Sequence, residues 1–293
     1  MNAPESGVRL RRLTTADIPL AMELKNIAGW NQTARDWAGY LEFEPEGCLV
    51  AEADGRPAGT ATSIRYGDRF GWIGMVLVHP ECRRLGIGTT LLRAGIEHLQ
   101  HRGTGCVKLD ATPMGRNVYV PMGFVDEYGV TRYEGIAPTT RGTAGTSSAG
   151  IAPMLESDLA PVTAFDAPIF GAERMPVLRS MSRRNPELCF VAKGAAGAID
   201  GYLIARQGQN AVQLGPWLAR DAAAAAELLH GFFDRVASSR VFVDVPHPNA
   251  AGLELIRKAG FTVQRGFMRM HLGPNLHPGL PQFVHGTSSA EKG

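Results

Sequence analysis

Apolar residues recur along residues 87–99 with the spacing of one helical face. The residues of this predicted face are Ile87, Leu91, Gly95 and Leu99, with Leu92 and Ile96 beside them. The apolar run VLV at residues 76–78 precedes the segment, and Gly103 follows it, where a glycine commonly ends a helix. The pattern therefore predicts a strand that passes through a turn into an amphipathic helix.

Other apolar runs predict the remaining elements of the first half. Asp54-Gly55 separates two such runs, and this dipeptide is a strong signal for a β-hairpin. Strands are predicted at residues 8–13, 48–53, 58–66, 71–78 and 106–111 and after Gly123-Phe124, and early helices at residues 17–26 and 33–42. A hairpin followed by strand–helix crossovers predicts an α/β (α+β) fold with a mixed sheet.

The second half of the chain repeats the pattern of the first half in the same order. CLVAEADGRPAGTATSIRYG in the first half resembles CFVAKGAAGAIDGYLIARQG in the second. The matched pairs, at nearly constant spacing, are Cys48 with Cys189, Asp17 with Asp158, Asp110 with Asp244 and Gly123 with Gly260. Ordered repetition over this length predicts two tandem units of one architecture.

Local composition indicates where the units begin and end. The two copies join in PTTRGTAGTSSAG, a Thr-, Ser- and Gly-rich stretch that is typical of a flexible linker. We predict a first domain at residues 1–137, a linker at 138–150, a second domain at 151–274 and a tail at 275–293. The Pro, Gly and Ser content of the tail predicts that it is loosely held.

Charge and cysteine content narrow the class of protein. The 293 residues carry a formal net charge of +2 and no dense Lys or Arg run, which argues against nucleic acid or a membrane surface as partner. The four cysteines are scattered without metal-binding spacing, so we expect reduced thiols, a cytoplasmic location and no metal. We also expect neither a signal peptide nor a membrane span, because no apolar segment of the required kind is present.

The turn between the predicted strand and helix has the chemistry of an anion site. Gly86 and Gly88 have no Cβ, so their N–H groups can approach a ligand closely, and a helix N-terminus adds unpaired donors. Arg83 and Arg84 add positive charge. A P-loop requires a lysine and a dinucleotide-binding loop requires a third glycine, and the motif has neither. A turn that binds nothing remains the alternative.

Two motifs together resemble the GNAT acyltransferase superfamily. RRLGIG, at residues 83–88, follows an apolar strand and matches RxxGxG, which is the pyrophosphate loop for acetyl-CoA in that family. Tyr119, in NVYVPMGF, matches the tyrosine of the family's YxxxGF motif. The resemblance covers residues 8–134 well. In the second half it extends only to the architecture, without the two motifs. It implies two tandem GNAT-like domains, each a mixed, mostly antiparallel sheet flanked by helices.

The same resemblance implies transfer of an acetyl group from acetyl-CoA, as cosubstrate, to a primary amine of a small molecule. Tyr119 would act as the general acid, and strand backbone near Leu77 or Val78 would hold the oxyanion. The residues implied to bind acetyl-CoA are Val76, Leu77, Val78, Arg83, Arg84, Leu85, Gly86, Ile87, Gly88, Thr89 and Asn117. A longer acyl-CoA as donor, a protein amine as acceptor, and an acyl-CoA-binding sensor remain alternatives.

The acceptor end of such a site is less defined by the sequence. Asp110 ends a predicted strand and is a candidate base, although its repetition as Asp244 also permits a structural role, and a water chain is equally possible. The segment GWNQTARDW supplies Trp30, Asn31 and Asp36 as candidate acceptor-binding residues. Alternatively, its tryptophans are buried and Asp36 lies in the first turn of a helix.

The second half lacks the motifs that carry the chemistry. LGPWLARDAAAAAELL, at residues 214–229, has no RxxGxG and places Asp221 where the loop should be basic, and Ile256 replaces the tyrosine. We therefore expect no acyl-CoA site there. Two roles stay open: lining the acceptor pocket of the first half, with Arg174 as a candidate contact, or serving as a packing or dimerisation partner. The chain is expected to be a monomer or a homodimer.

Overall fold

The fold is known from a computed structural model, which describes residues 7–139, 150–194 and 197–293. Most of the predicted linker, residues 140–149, lies outside these ranges. Within them the chain forms thirteen strands in one sheet and eight α-helices. The strands are β1 (Val8–Arg12), β2 (Leu49–Ala53), β3 (Arg56–Tyr66), β4 (Phe70–Val78), β5 (Val107–Ala111), β6 (Val125–Ile136), β7 (Ile151–Pro153), β8 (Cys189–Lys193), β9 (Ile199–Arg206), β10 (Val212–Ala219), β11 (Arg240–Pro246), β12 (Thr262–Leu272) and β13 (Val284–Gly286). The helices are α1 (Ile18–Ile27), α2 (Ala34–Phe43), α3 (Ile87–His101), α4 (Pro113–Tyr119), α5 (Leu159–Phe170), α6 (Met175–Arg184), α7 (Ala222–Arg235) and α8 (Ala250–Lys258).

The element order predicted for the first half is confirmed. The amphipathic segment forms α3, whose buried face includes Ile87, Leu91 and Leu99. Asp54 and Gly55 both adopt positive φ, 50° and 74°, which is the backbone that a two-residue hairpin turn requires between β2 and β3. Helices flank a mostly antiparallel sheet, so the predicted α/β (α+β) class is confirmed as well.

The two halves of the chain exchange their last strands. The sheet order is β1-β2-β3-β4-β5-β12-β6-β11-β10-β9-β8-β7. Strand β12 from the second half therefore lies beside β5, where Met268 pairs with Ala111. In the same way, β6 from the first half lies beside β11, where Thr131 pairs with Val245. Because β6 and β12 also pair with each other, the sheets of the two repeats join into one.

Two buried ion pairs lie on the exchanged strands. Arg269 of β12 donates to both carboxylate oxygens of Asp110 on β5, at 2.8 and 2.9 Å. Arg132 of β6 donates to both oxygens of Asp244 on β11, at 2.7 Å each. Each arginine thus ties the last strand of one half to a strand of the other half. Since a buried charge without a partner is strongly unfavourable, loss of either arginine would destabilise the protein.

Helices of both halves also pack against each other. One core cluster joins residues of α1 and α2 to residues of α5 and α6. Trp37 and Tyr40 belong to it in the first half, and Leu178 and Met181 in the second, and all four are buried. The second half is therefore a packing partner of the first half within the chain.

The tail is packed, contrary to the prediction from its composition. Residues 284–293 are almost all buried, so the expectation of a loosely held tail is wrong for them. Strand β13 pairs with β10, and the residues after it cross to the first half. There Trp72 Nε1 donates to the carbonyl of Ala290 at 3.0 Å, and the Tyr66 hydroxyl donates to the carbonyl of Lys292 at 2.7 Å. A polar segment can be buried in this way because its backbone groups find partners.

Candidate active site

A cleft opens in the sheet where β4 and β5 separate. These parallel strands pair only where Gly71 faces Val107 and Trp72 faces Lys108. Beyond these pairs β4 carries a bulge, with Met75 at a positive φ of 52°, while β5 continues with β12 as its partner. The backbone of β4 after the bulge therefore borders the cleft.

The glycine loop lies at the start of α3, directly after β4. Gly86 is the N-cap of α3 with a φ of 77°, and Arg84 also has a positive φ of 66°. A Cβ on Gly86 would meet no atom within 4 Å, and a Cβ on Gly88 would meet Val78 Cγ2 at 3.6 Å, so neither glycine is there for internal packing. With the exposed side chains of Arg83 and Arg84, the N–H groups of the first turn of α3 fit a phosphate anion.

The cleft and the loop line one cavity of about 910 Å³, a volume typical of small-molecule sites. The predicted residues that line it are Trp30, Val76, Leu77, Val78, Arg83, Arg84, Gly86, Ile87, Gly88, Thr89, Asp110 and Tyr119. Leu85 and Asn117 do not line it, and both residues are exposed to solvent. The structure thus brings together the loop, the strand and the tyrosine that the sequence placed in separate motifs.

Tyr119 borders the cavity from the end of α4. Its ring packs against Phe124, with ring centroids 5.9 Å apart. A Cβ on Gly115 would lie 2.9 Å from the tyrosine ring, so the glycine lets the ring lie close to the helix backbone. Burial raises the pKa of the Tyr119 hydroxyl to about 12. The phenol is therefore protonated at neutral pH, which is the state that a proton donor needs.

Asp110 lines the cavity as half of an ion pair. Its side chain is 1% exposed, and both of its oxygens accept hydrogen bonds from Arg269. Burial raises the pKa of Asp110, and the Arg269 guanidinium opposes that effect. A carboxylate already bound by a guanidinium at both oxygens is a poor proton acceptor, so the geometry favours the structural role over the role of base.

The segment around Trp30 divides between the cavity and the contact between halves. Trp30 and Gln32 line the cavity. Asn31 instead contacts the second half: its Nδ2 donates to the carbonyl of Ala211 at 3.0 Å, and its Oδ1 accepts from the backbone N–H groups of Asn210 and Ala211. Asn31 is therefore held away from the cavity by a loop that is distant in sequence.

Asp36 and Arg174 also lie outside the cavity wall. Asp36 completes the capping box of α2 and forms an ion pair with Arg206 of the second half at 2.9 Å. Arg174 donates to both oxygens of Asp166, at 2.9 and 2.8 Å, and to the Ser288 hydroxyl at 2.8 Å. These bonds correct the prediction that Asn31, Asp36 and Arg174 contact an acceptor, since their polar groups are already bonded within the protein.

The second half lines the cavity with residues that the sequence did not indicate. These are Arg265 and Phe267 of β12 and Ala290 and Glu291 of the tail, and Arg132 of β6 joins them from the first half. One signal could have pointed to the ion pairs: Arg132 and Arg269 recur at the same spacing as Gly123 and Gly260. We find no sequence signal that marks Arg265 or the tail.

Glu291 lies over the bulge of β4. A Cβ on Gly74 would lie 2.6 Å from Glu291 Cβ, so glycine at this position lets the tail approach. The carboxylate accepts from the Tyr40 hydroxyl and from Lys292 Nζ, both at 3.0 Å, and faces Arg206 at 3.6 Å. Burial opposes the charged form, but Lys292 and Arg206 outweigh it and hold the pKa of Glu291 below its usual range. The cavity wall here carries an ionised carboxylate whose charge is balanced internally.

The equivalent cleft of the second half is closed by the chain itself. Strand β13 pairs with β10 beside β11, where the first half has its open cleft. At the start of α7, the side chain of Asp221 accepts hydrogen bonds from the N–H groups of Ala223 and Ala224, at 3.0 and 2.9 Å. Ile256, at the position of the tyrosine, is fully buried. A protein carboxylate thus occupies the place in which the first half offers donors to an anion.

Two sequence models of GNAT acetyltransferases match the chain. The one described as Acetyltransferase (GNAT) family matches residues 19–124, and the one described as Acetyltransferase (GNAT) domain matches residues 162–280. The two matches fall on the two halves of the internal repeat and together span more than half of the chain. The chain therefore belongs to the GNAT acyltransferase family, and it is of the tandem type.

Known relatives agree with this class. The chain is 24% identical over 245 residues to holothin acyltransferase of Pseudoalteromonas sp. (strain SANK 73390), and the match covers 83% of this chain and 81% of that protein. A solved chain from Pyrococcus horikoshii, named as a candidate acetyltransferase, is 25% identical with a TM-score of 0.81 over 100% of this chain and 98% of that one. A tandem GNAT protein from the clavulanic acid biosynthesis pathway shares the fold, with a TM-score of 0.65 and 16% identity over 91% of this chain and 98% of that one. The protein is an acyltransferase.

Two further features of the described residues concern membrane-spanning helices and clusters of metal-binding side chains. Every helix within the described ranges is too short or too polar to serve as a bilayer span. In the same ranges, no three His, Cys, Asp or Glu side chains are grouped so that they could hold a metal ion.

Proposed function

We propose that the protein is an N-acetyltransferase that transfers the acetyl group of acetyl-CoA to a primary amine of a small molecule. The observation that carries this proposal is the single cavity in which the RxxGxG loop, the bulged strand β4 and Tyr119 meet. The family uses acetyl-CoA, and the relative described as an acyltransferase supports group transfer rather than binding alone.

The loop and the strand suit the two ends of the acyl donor. Arg83, Arg84 and the first turn of α3 would hold the pyrophosphate. The backbone of β4 at residues 76–78 borders the cavity and would pair with the pantetheine arm as a neighbouring strand does. Acetyl-CoA supplies the acetyl group as an activated thioester.

In the proposed reaction, we assign one group to the carbonyl oxygen, one to the departing sulfur and one to the proton of the amine. The acceptor nitrogen forms a bond to the acetyl carbon while the carbon–sulfur bond breaks and the sulfur takes the electron pair. A backbone N–H near Leu77 or Val78 would stabilise the charge that develops on the carbonyl oxygen. Tyr119 gives its proton to the departing sulfur. Because Asp110 is engaged by Arg269, we assign the proton of the amine to a water chain.

The Tyr119→Phe variant tests the proposal, with thiol release from acetyl-CoA measured across a panel of small amines. The ring and its packing on Phe124 remain, so we expect kcat to fall about 100-fold or more while the Kd for acetyl-CoA is unchanged. Tyr133→Phe is the matched control, because Tyr133 is buried on β6 outside the cavity and its hydroxyl accepts from Arg257.

Other donors and acceptors are tested in the same assay. Acetyl-CoA binding without turnover of any amine, with no effect of Tyr119→Phe, would identify an acyl-CoA-binding sensor instead of an enzyme. Faster thiol release from a longer acyl-CoA than from acetyl-CoA would show that the donor carries a longer chain. Faster acetylation of a lysine peptide than of any small amine would show that the acceptor is a protein amine.

A further inference from the structure

Three of the six charged side chains on the cavity wall have an opposite charge beside them. The pairs are Asp110 with Arg269 at 2.8 Å, Arg132 with Asp244 at 2.7 Å and Glu291 with Lys292 at 3.0 Å. Their charges are balanced within the protein, so these groups offer little net attraction to a charged ligand.

Arg265 is the exception outside the glycine loop. It is half-buried, lines the cavity from β12 and, among the described residues, has no carboxylate at ion-pair distance. Its Nε donates to Gln264 Oε1 at 2.9 Å, and no hydrogen bond to a described residue engages its two terminal nitrogens. Burial and the neighbouring Arg132 lower the pKa of Arg265, while Asp244 opposes them. An added anion would therefore relieve an unbalanced positive charge.

Arg265 also lies on a different wall from the loop arginines. From Arg265 to Arg269 the pairing of β12 with β6 is regular, so Arg265, Phe267 and Arg269 fall on one face by alternation. Phe267 lines the cavity with Arg265. Arg83 and Arg84, by contrast, precede α3 in the first half. The cavity thus has two separate cationic regions, one from each half of the chain.

We propose that Arg265 binds an anionic group of the acceptor, so that the acceptor amine also carries a carboxylate or a phosphate. This inference rests on the proposed function, which assigns the glycine loop to the acyl donor and the part of the cavity away from that loop to the acceptor. A guanidinium presents parallel N–H donors that match both groups, and partial burial strengthens the interaction. The substrate class is thereby narrowed from primary amines in general to amines with a negatively charged group.

The test uses matched amines with and without the anion: β-alanine against β-alaninamide, and phosphoethanolamine against ethanolamine. For each amine, calorimetry measures binding to the CoA-saturated protein, and thiol release measures acetyl transfer. We expect the wild type to prefer the charged member of at least one pair. Arg265→Glu should lower affinity and kcat/KM for that member about 10- to 100-fold, spare the neutral member and leave the Kd for acetyl-CoA unchanged. Arg265→Lys should retain part of the preference.

Arg9→Glu is the matched control, since it makes the same change in net charge on an exposed position of β1. Equal binding within both pairs, including no measurable binding of any of the four amines, overturns the inference. A weaker affinity for acetyl-CoA in Arg265→Glu, with no change in amine preference, also overturns it and makes Arg265 a contact of the donor. Arg265-dependent binding without acetyl transfer would contradict the proposed function alone, and acetyl transfer without charge preference would contradict this inference alone.

Discussion

The ion pair between Arg269 and Asp110 joins the exchanged strand β12 to β5, and its removal tests how much this ion pair stabilises the protein. Arg269→Met keeps a long side chain but removes the bonds to both oxygens of Asp110, at 2.8 and 2.9 Å, and the bond to the Tyr128 hydroxyl at 2.8 Å. Asp110, whose side chain is 1% exposed, is then left without a counter-charge. Because an unpaired buried charge costs about 3–5 kcal/mol, we expect the free energy of unfolding to fall by about that amount.

The loss should depend on pH with a defined sign. Burial raises the pKa of Asp110 and Arg269 opposes that effect, so without Arg269 the pKa in the folded protein rises further. Between the unfolded pKa, about 3.9, and this higher folded value, the folded variant binds a proton that the unfolded chain does not bind. Stability then falls as the pH rises through this interval, according to the linkage relation. The deficit of Arg269→Met relative to the wild type is therefore expected to shrink toward acidic pH.

Urea unfolding of both proteins at several pH values measures this deficit. The double variant Asp110→Leu/Arg269→Met should recover most of it, because an apolar pair replaces the ion pair. Its acetyl-transfer activity then separates the two roles of Asp110: a stable but inactive double variant identifies Asp110 as the base, and an active one as structural. Arg132→Met, at the matching position of the repeat, is the internal comparison. A single variant within about 1 kcal/mol of the wild type, or a deficit that grows toward acidic pH, would refute the reasoning.

Two further predictions concern the glycine loop and the tail. Gly86→Ala, at a φ of 77°, should weaken acetyl-CoA binding about 10-fold, because the methyl group enters the ligand side of the loop. Gly260→Ala is its control, with a φ of 82° and open space around the added Cβ but no ligand expected, and equal acetyl-CoA affinity of both variants and the wild type would contradict the loop assignment. In the tail, burial lowers the pKa of His285 to about 4. Between the unfolded pKa, about 6.5, and this value the unfolded chain binds the extra proton, so stability is lost as the pH falls through this window, by about 3 kcal/mol in all. His285→Phe should flatten the pH dependence of urea unfolding there, and an unchanged slope would contradict the assignment.

Local sequence patterns were sufficient for most of the elements and for the loop that we assign to acetyl-CoA. The helical spacing of Ile87, Leu91 and Leu99 identified α3, and Asp54-Gly55 identified the turn between β2 and β3. Gly86 could be recognised because the residues that require a glycine in this strand–turn–helix lie within a few positions of it. Such features depend on residues that are close in sequence, so the local pattern of apolar, polar and glycine residues is enough to predict them.

The packing of the tail and the composition of the cavity wall depended on contacts between residues far apart in sequence. The sequence pattern favoured Asn31 and Asp36 as contacts of an acceptor, but Ala211 and Arg206 already engage them. Glu291 reaches the bulge of β4 only because the tail crosses from one half to the other. A polar, Gly- and Ser-rich composition describes an exposed segment and a buried one equally well when the buried one finds hydrogen-bond partners.

The strand exchange shows most clearly what only the tertiary structure decided. Strands β6 and β12 carry arginines at matching positions of the repeat, and β5 and β11 carry the matching aspartates. Arg132 would therefore find a carboxylate in either half, and so would Arg269, whether or not the strands are exchanged. By itself the sequence determined that two such units exist and that one of them has the acyl-CoA motifs. Which strand lies beside β5 depends on long-range pairing within the whole sheet, and this pairing brings Arg265 from the second half into the cavity of the first.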